Sequence, residues 1–178
     1  MASLPGPDLA GLESFSQPTQ RWFSASFEAP MPVQIQAWES IRRRQNTLVV
    51  APTGSGKTLA AFMWAIDQIA TQTDPHPGVK VLYISPLKAL GVDVERNLQA
   101  PLVGIADAAR ALGLDAPQVS VGVRSGDTTQ RERRRLVTNP PDILITTPES
   151  LYLMLTSDAA RTLETVQWVI IDEIHALA

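Results

Sequence analysis

The densest chemical signal in the chain is eight residues long: Ala51-Pro52-Thr53-Gly54-Ser55-Gly56-Lys57-Thr58. Glycines at 54 and 56 let a backbone curl so that successive N–H groups face one anion, and a helix opening near Lys57 adds its positive end at the same spot. A lysine and a hydroxyl closing such a loop suit a nucleoside triphosphate. Lys57 would neutralise the β and γ phosphates, and Thr58 would ligate Mg²⁺. The pattern ordinarily starts with Gly, and Ala51 stands there instead, small enough to leave the loop open. Gly-Ser-Gly also occurs in plain turns, but the full spacing with Lys-Thr between a strand and a helix specifies much more.

A second signal is the apolar run Val169-Ile170-Ile171 leading into Asp172-Glu173-Ile174-His175. Two carboxylates after a buried strand fall at the carboxyl edge of a sheet, where open α/β folds bind ligands. Asp172 would hold Mg²⁺ through water, and Glu173 would polarise the water that attacks the γ phosphate. Taken alone, Asp-Glu after a strand reads as a helix cap; behind a phosphate loop the catalytic reading is the stronger.

The elements needed to position these groups are legible. Apolar runs without alternation predict strands at Thr47–Ala51, Val79–Ser85, Val119–Arg124, Asp142–Thr146 and Val166–Asp172, each covered on both faces. Helical patterns lie between them, near Lys57–Ala70, Ala89–Leu112 with an interruption at Pro101, Thr129–Thr138 and Glu149–Thr156. Alternation of strand and helix implies an α/β fold with a mostly parallel sheet flanked by helices. Upstream, Trp22, Phe23, Phe27, Ile35, Trp38 and Ile41 suggest two short helices broken by Pro30 and Pro32. Met1–Pro18 is rich in Pro, Gly and Ser and reads as a flexible leader, with one domain over residues 19–178.

Composition narrows the remaining choices. The chain has 178 residues, enough for one domain. The absence of cysteine excludes disulfide frameworks, thiolate metal sites and cysteine nucleophiles. The first twenty residues hold no Lys or Arg and no long apolar core, so no signal or transit peptide fits. The stretch Leu59–Ala70 is too short to span a membrane, and the expected location is the cytoplasm. A net charge of −3 gives no global basic footprint, so any contact with nucleic acid must come from local groups. Arg131, Arg133, Arg134 and Arg135 spread around a helix and read as a solvated face, while Arg42, Arg43 and Arg44 suit the negative end of a helix.

Taken together, Ala-x-Thr-Gly-Ser-Gly-Lys-Thr and Asp-Glu-Ile-His resemble motifs I and II of superfamily 2 DExH helicases. The segments between them resemble the large helicase-related proteins: Ser85-Pro86-Leu87-Lys88-Ala89-Leu90, Arg124-Ser125-Gly126-Asp127-Thr128 and Thr146-Thr147-Pro148-Glu149-Ser150. The resemblance implies a RecA-like P-loop NTPase domain that uses ATP and Mg²⁺. It extends the nucleotide site to Gln34, Thr53, Gly54, Ser55, Gly56, Lys57, Thr58, Asp172 and Glu173, with Lys57 and Glu173 catalytic and Thr58 and Asp172 on the metal. Gln34, with Phe27 and Pro32, resembles the Q motif, whose amide pairs with adenine. His175 resembles the residue that links the nucleotide site to a second motor domain.

The resemblance also implies a single-stranded nucleic acid as partner, DNA ahead of RNA, and a repair-related role. Ser85, Pro86, Lys88, Arg124, Thr147 and Pro148 would touch its backbone. The Ser-Pro and Thr-Pro pairs stand at strand-to-helix junctions that hold phosphates without reading bases, or else serve as simple N-caps. The expected chain is the first part of RecA-like domain 1, incomplete at its C-terminus and without the second motor domain. Two other readings are a non-catalytic nucleic-acid-binding module and a double-strand translocase.

Overall fold

The computed structural model describes residues 11–52, 54–72, 77–86 and 88–177. Two compact units are present: Met1–Thr71 with Pro101–Pro117, and Gln72–Ala100 with Gln118–Ala178.

The first unit is helical. Helix α1 (Gln17–Ser26) and α2 (Pro32–Arg42) are separate, as Pro30 and Pro32 predict, and α3 spans Lys57–Ala70. Their apolar faces meet in an aromatic core, where the Phe15 and Phe23 rings stand nearly perpendicular to Trp38 at 5.0 and 5.9 Å. The buried Trp38 Nε1–H donates to the Ala60 carbonyl at 3.1 Å, so the indole is satisfied without water. Gly104 lies against Trp22 so closely that a Cβ there would fall 2.1 Å from the ring.

Two expectations are corrected in this unit. The leader does not extend to Pro18: Leu12 and Phe15 are core residues, and Ser16 binds the buried carboxylate of Asp67 through its N–H (3.0 Å) and hydroxyl (2.6 Å). Residues 1–10 lie outside the described part. Thr47–Ala51 is not a strand either. It joins no described ladder, and Leu48 and Val50 are 75% and 82% exposed. Apolar content makes a segment fit for a sheet, but only a hydrogen-bonded neighbour makes it a strand.

The second unit carries four parallel strands, β1 (Val81–Ile84), β2 (Val121–Arg124), β3 (Ile143–Thr146) and β4 (Trp168–Ile171), in the order β2-β3-β1-β4. Helix α4 (Lys88–Ala111) follows β1 and runs across Pro101, the point at which the chain passes from one unit to the other. Helices α5 (Gln130–Thr138) and α6 (Pro148–Leu155) follow β2 and β3. The central strands β1 and β3 are buried along their full length, as both-face coverage requires. The edge strand β4 departs from that pattern: Val169 and Ile171 are half exposed. Val79, Leu82, Ile84, Leu144, Met154 and Ala159 form one core cluster.

Among the described residues no helix is long and apolar enough to cross a membrane.

Candidate functional site

The strand register decides where the chemistry of the second unit falls. Ile84 pairs with Thr146 and Ile171, and Thr146 pairs with Arg124, so all four strands end at one level. The residues that follow, Ser85, Ser125, Thr147 and Asp172, therefore share the carboxyl edge of the sheet, the binding edge of open α/β folds. Four of the expected side chains, Ser85, Arg124, Thr147 and Asp172, are brought together in this way from positions far apart in sequence.

Asp172 is held on both oxygens. Its Oδ2 accepts from the Tyr83 hydroxyl at 2.5 Å, and its Oδ1 accepts from the Glu173 N–H at 2.9 Å. Its own N–H donates to the Ile84 carbonyl at 2.9 Å, which fixes the backbone at the strand end. Glu173 occupies the left-handed region at φ 50°, a conformation that turns the chain sharply out of β4. The imidazole of His175 then lies 3.3 Å from the Glu173 carboxylate, and most of it is exposed. Tyr83 itself is buried, and its ionisation is pushed well above the ordinary phenol range, first by burial and then by the bond to Asp172 and its charge. Sequence reasoning gave Tyr83 no role, since a tyrosine inside an apolar strand carries no mark of where its hydroxyl points.

Thr147 caps α6: it accepts from the Ser150 N–H at 3.3 Å, ahead of Pro148 at the first helical position. The simple capping role is thus present, and Thr147 is only 5% exposed. Ser85 is buried at the end of β1 and its N–H donates to the Thr146 carbonyl at 3.1 Å. Arg124 is also buried, and its guanidinium is held below its usual range by desolvation and, next, by the nearby charge of Arg133. The Lys88 side chain and Thr53 lie outside the described residues.

In the first unit the phosphate-loop sequence has the backbone its glycines permit. Gly54 and Gly56 have φ values of 82° and 75°, and Gly56 is the N-cap residue of α3. The Lys57 ammonium bends back over the loop, donating to the carbonyls of Ala51 and, at 2.7 Å, Pro52. Ser55 closes the turn through its hydroxyl to Pro52 at 2.7 Å. Thr58 follows in the first turn of α3 and is partly buried.

Gln34 is joined to this loop. Its Oε1 accepts from the Met31 N–H at 2.9 Å, capping α2, and its Nε2 donates to the Gly56 carbonyl at 3.4 Å. An amide offers two lone pairs and two N–H donors, so one of each stays available for a base edge. A Cβ at position 56 would fall 2.5 Å from that Nε2, which adds a packing reason for glycine to the conformational one.

A parallel sheet with its strand ends loaded in this way, in a chain that also carries a glycine loop closed by Lys-Thr, defines a RecA-like nucleotide-binding fold. The chain belongs to the DEAD/DEAH box helicase family, whose model matches residues 31–178. It is 60% identical to the Lhr helicase/probable uracil glycosylase of Mycolicibacterium smegmatis, over 94% of this chain and 11% of that protein. The Lhr helicase/uracil glycosylase of Escherichia coli is 51% identical, over 100% of this chain and 12% of its own length. Among solved structures, the Mycobacterium smegmatis helicase Lhr bound to ssDNA and AMP-PNP superposes with a TM-score of 0.91 at 59% identity, covering 94% of this chain and 21% of that one. The chain thus spans only about a tenth of the length of these two curated relatives.

Proposed function

We propose that this chain forms part of the first RecA-like ATP-binding domain of an ATP-dependent motor that moves on single-stranded DNA. The observation that carries the reading is the level ending of the four strands, which gathers Ser85, Arg124, Thr147 and Asp172 on one edge. A phosphate loop with Gly54 and Gly56 in the left-handed region supports the nucleotide half of the reading. The relative solved with ssDNA and AMP-PNP supports the choice of ligands. The pairing of helicase with uracil glycosylase in the names of both curated relatives supports a link to DNA repair.

In this reading the N–H groups of the loop through residue 58 and the Lys57 ammonium bind the triphosphate, and Gln34 recognises adenine. Glu173 orients the attacking water and takes its proton. Among the described residues no group of three or more His, Asp or Glu could cage a metal. That fits Mg²⁺, which keeps waters and shares phosphate oxygens instead of demanding an all-protein site. Asp172 and Thr58 would hold it, and it would neutralise charge on the transferring phosphoryl group. Ser85, Pro86, Lys88, Arg124, Thr147 and Pro148 grip phosphates of the strand, which gives affinity without sequence preference.

Family members close a second RecA-like domain over the nucleotide, and its arginine contributes about 10³–10⁵ in rate in phosphoryl-transfer enzymes. Residues 1–178 alone should therefore bind nucleotide weakly and turn over little. The test is ATPase activity of the full natural chain with single strand, duplex or no nucleic acid, beside its Lys57→Ala variant. Stimulation by single strand, abolished in the variant while strand affinity persists, is expected. A rate indifferent to every polynucleotide, or unchanged by Lys57→Ala, overturns the reading.

A further inference from the structure

Arg124 and Arg133 are two cations of the second unit that lie near one another with few partners. Arg124 ends β2 and is 7% exposed, and among the described residues no hydrogen bond or ion pair involves its guanidinium. Arg133 comes from α5, whose start is fixed by a reciprocal cap between Thr129 and Glu132. Its terminal nitrogen donates to the carbonyl of Gly126, two residues beyond Arg124, at 3.1 Å. Its Nε is buried and, among the described residues, has no hydrogen-bond partner. The two guanidiniums are close enough that the charge of one disfavours the charge of the other.

A buried guanidinium without an acid is costly, and a second one beside it adds repulsion. Each carries five N–H donors in a planar fork, and here one of them is shown in use. The ligand chemistry that removes both costs is an anion with several acceptor oxygens, for which paired N–H donors of Arg have matching geometry. The location restricts the choice further. Arg124 pairs in register with Thr146, next to Thr147 on the loaded edge of the sheet, where a strand backbone would pass.

We propose that Arg133 and Arg124 together clamp one phosphodiester of the bound nucleic-acid strand. Arg133 then differs in kind from Arg131, Arg134 and Arg135, which are exposed on the same helix. The inference rests on the strand-binding reading above and adds a contact from α5 to it.

The experiment measures oligo(dT) affinity of the full natural chain against monovalent salt for the wild type, Arg133→Ala, Arg133→Lys and Arg134→Ala, with inorganic phosphate titrated separately. One phosphate contact on a single strand contributes about 0.7 to the slope of log K against log salt, or about fivefold in affinity for each tenfold change in salt. Arg133→Ala should lose that slope, Arg133→Lys should keep it because the charge remains, and Arg134→Ala should match the wild type. An unchanged slope in Arg133→Ala, with the wild type binding, overturns the clamp and leaves the strand-binding reading standing. Absence of oligo(dT) binding in the wild type overturns both. Loss of inorganic-phosphate binding in Arg133→Ala at constant oligo(dT) slope assigns the pair to a free anion and overturns the strand assignment. Arg133→Lys guards against misfolding as the cause, since a fold defect would not be rescued by charge.

Discussion

The hydroxyl of Tyr83, on a central strand, donates to Oδ2 of Asp172 at the end of the edge strand, 2.5 Å away and 89 residues later in the chain. Both residues belong to the same sheet, with Tyr83 opposite Ile170 in the ladder. The acidic residue that sequence assigns to the metal thus has its rotamer set by a neighbouring strand, and Tyr83 acts as a positioning residue.

Tyr83→Phe should cost about 1.5–3 kcal/mol, the usual range for a hydrogen bond to a charged acceptor. Chemical denaturation measures it. The cost should depend on pH in one direction. The unfolded phenol ionises near pH 10 and the folded one well above that. The advantage of the wild type is therefore fully present below about pH 10 and shrinks as pH rises beyond it. A gap that stays constant or widens in alkali would remove the bond from the account.

Gln34→Glu separates two duties of one side chain. The carboxylate still accepts from the Met31 N–H, so the start of α2 should survive, as circular dichroism melting would register. The N–H that meets Gly56 and the one left for adenine are both lost. Preference for ATP over GTP should fall about tenfold, within the range for losing a bidentate amide–adenine pair, in nucleotide competition assays. Equal loss of both nucleotides would assign Gln34 to loop packing alone.

Gly104→Ala places a methyl where the Trp22 ring already sits, at 2.1 Å. Overpacking of this kind costs about 1–3 kcal/mol, and calorimetry should find a melting temperature lower by about 2–4 °C for each kcal/mol. A neutral result would mean that Trp22 moves aside without loss.

Thr147→Ala removes the cap of α6 and should cost about 1 kcal/mol of stability. Thr147→Ser keeps the oxygen and should restore it in thermal melts. If strand affinity drops in the alanine variant and returns with serine, the same hydroxyl serves both cap and phosphate.

Most of the sheet was legible because its strands are short Val, Ile and Leu runs, a pattern that buried parallel strands impose. Leu12 and Phe15 were not, being single apolar residues among Gly, Pro and Ser that show no period until the aromatic core around Trp38 is seen. Thr47–Ala51 misled for the opposite reason, since its composition suits a strand whose neighbour the described residues do not supply. The level ending of the strands follows from register, which a sequence leaves open. The distinction between Arg133 and the other arginines of α5 is invisible to charge counting. It depends on which one turns back toward Gly126.

The half-exposed face of β4 has a practical side. Among the described residues β4 has a ladder partner on one side only, and with Val169 and Ile171 at 56% and 49% exposure it offers a template for pairing with another chain. Its four residues, Trp168–Ile171, include neither the lysines nor the prolines that ordinarily discourage such pairing. Purified at high concentration, these 178 residues should self-associate through that edge, and a single lysine at position 169 should keep them dispersed.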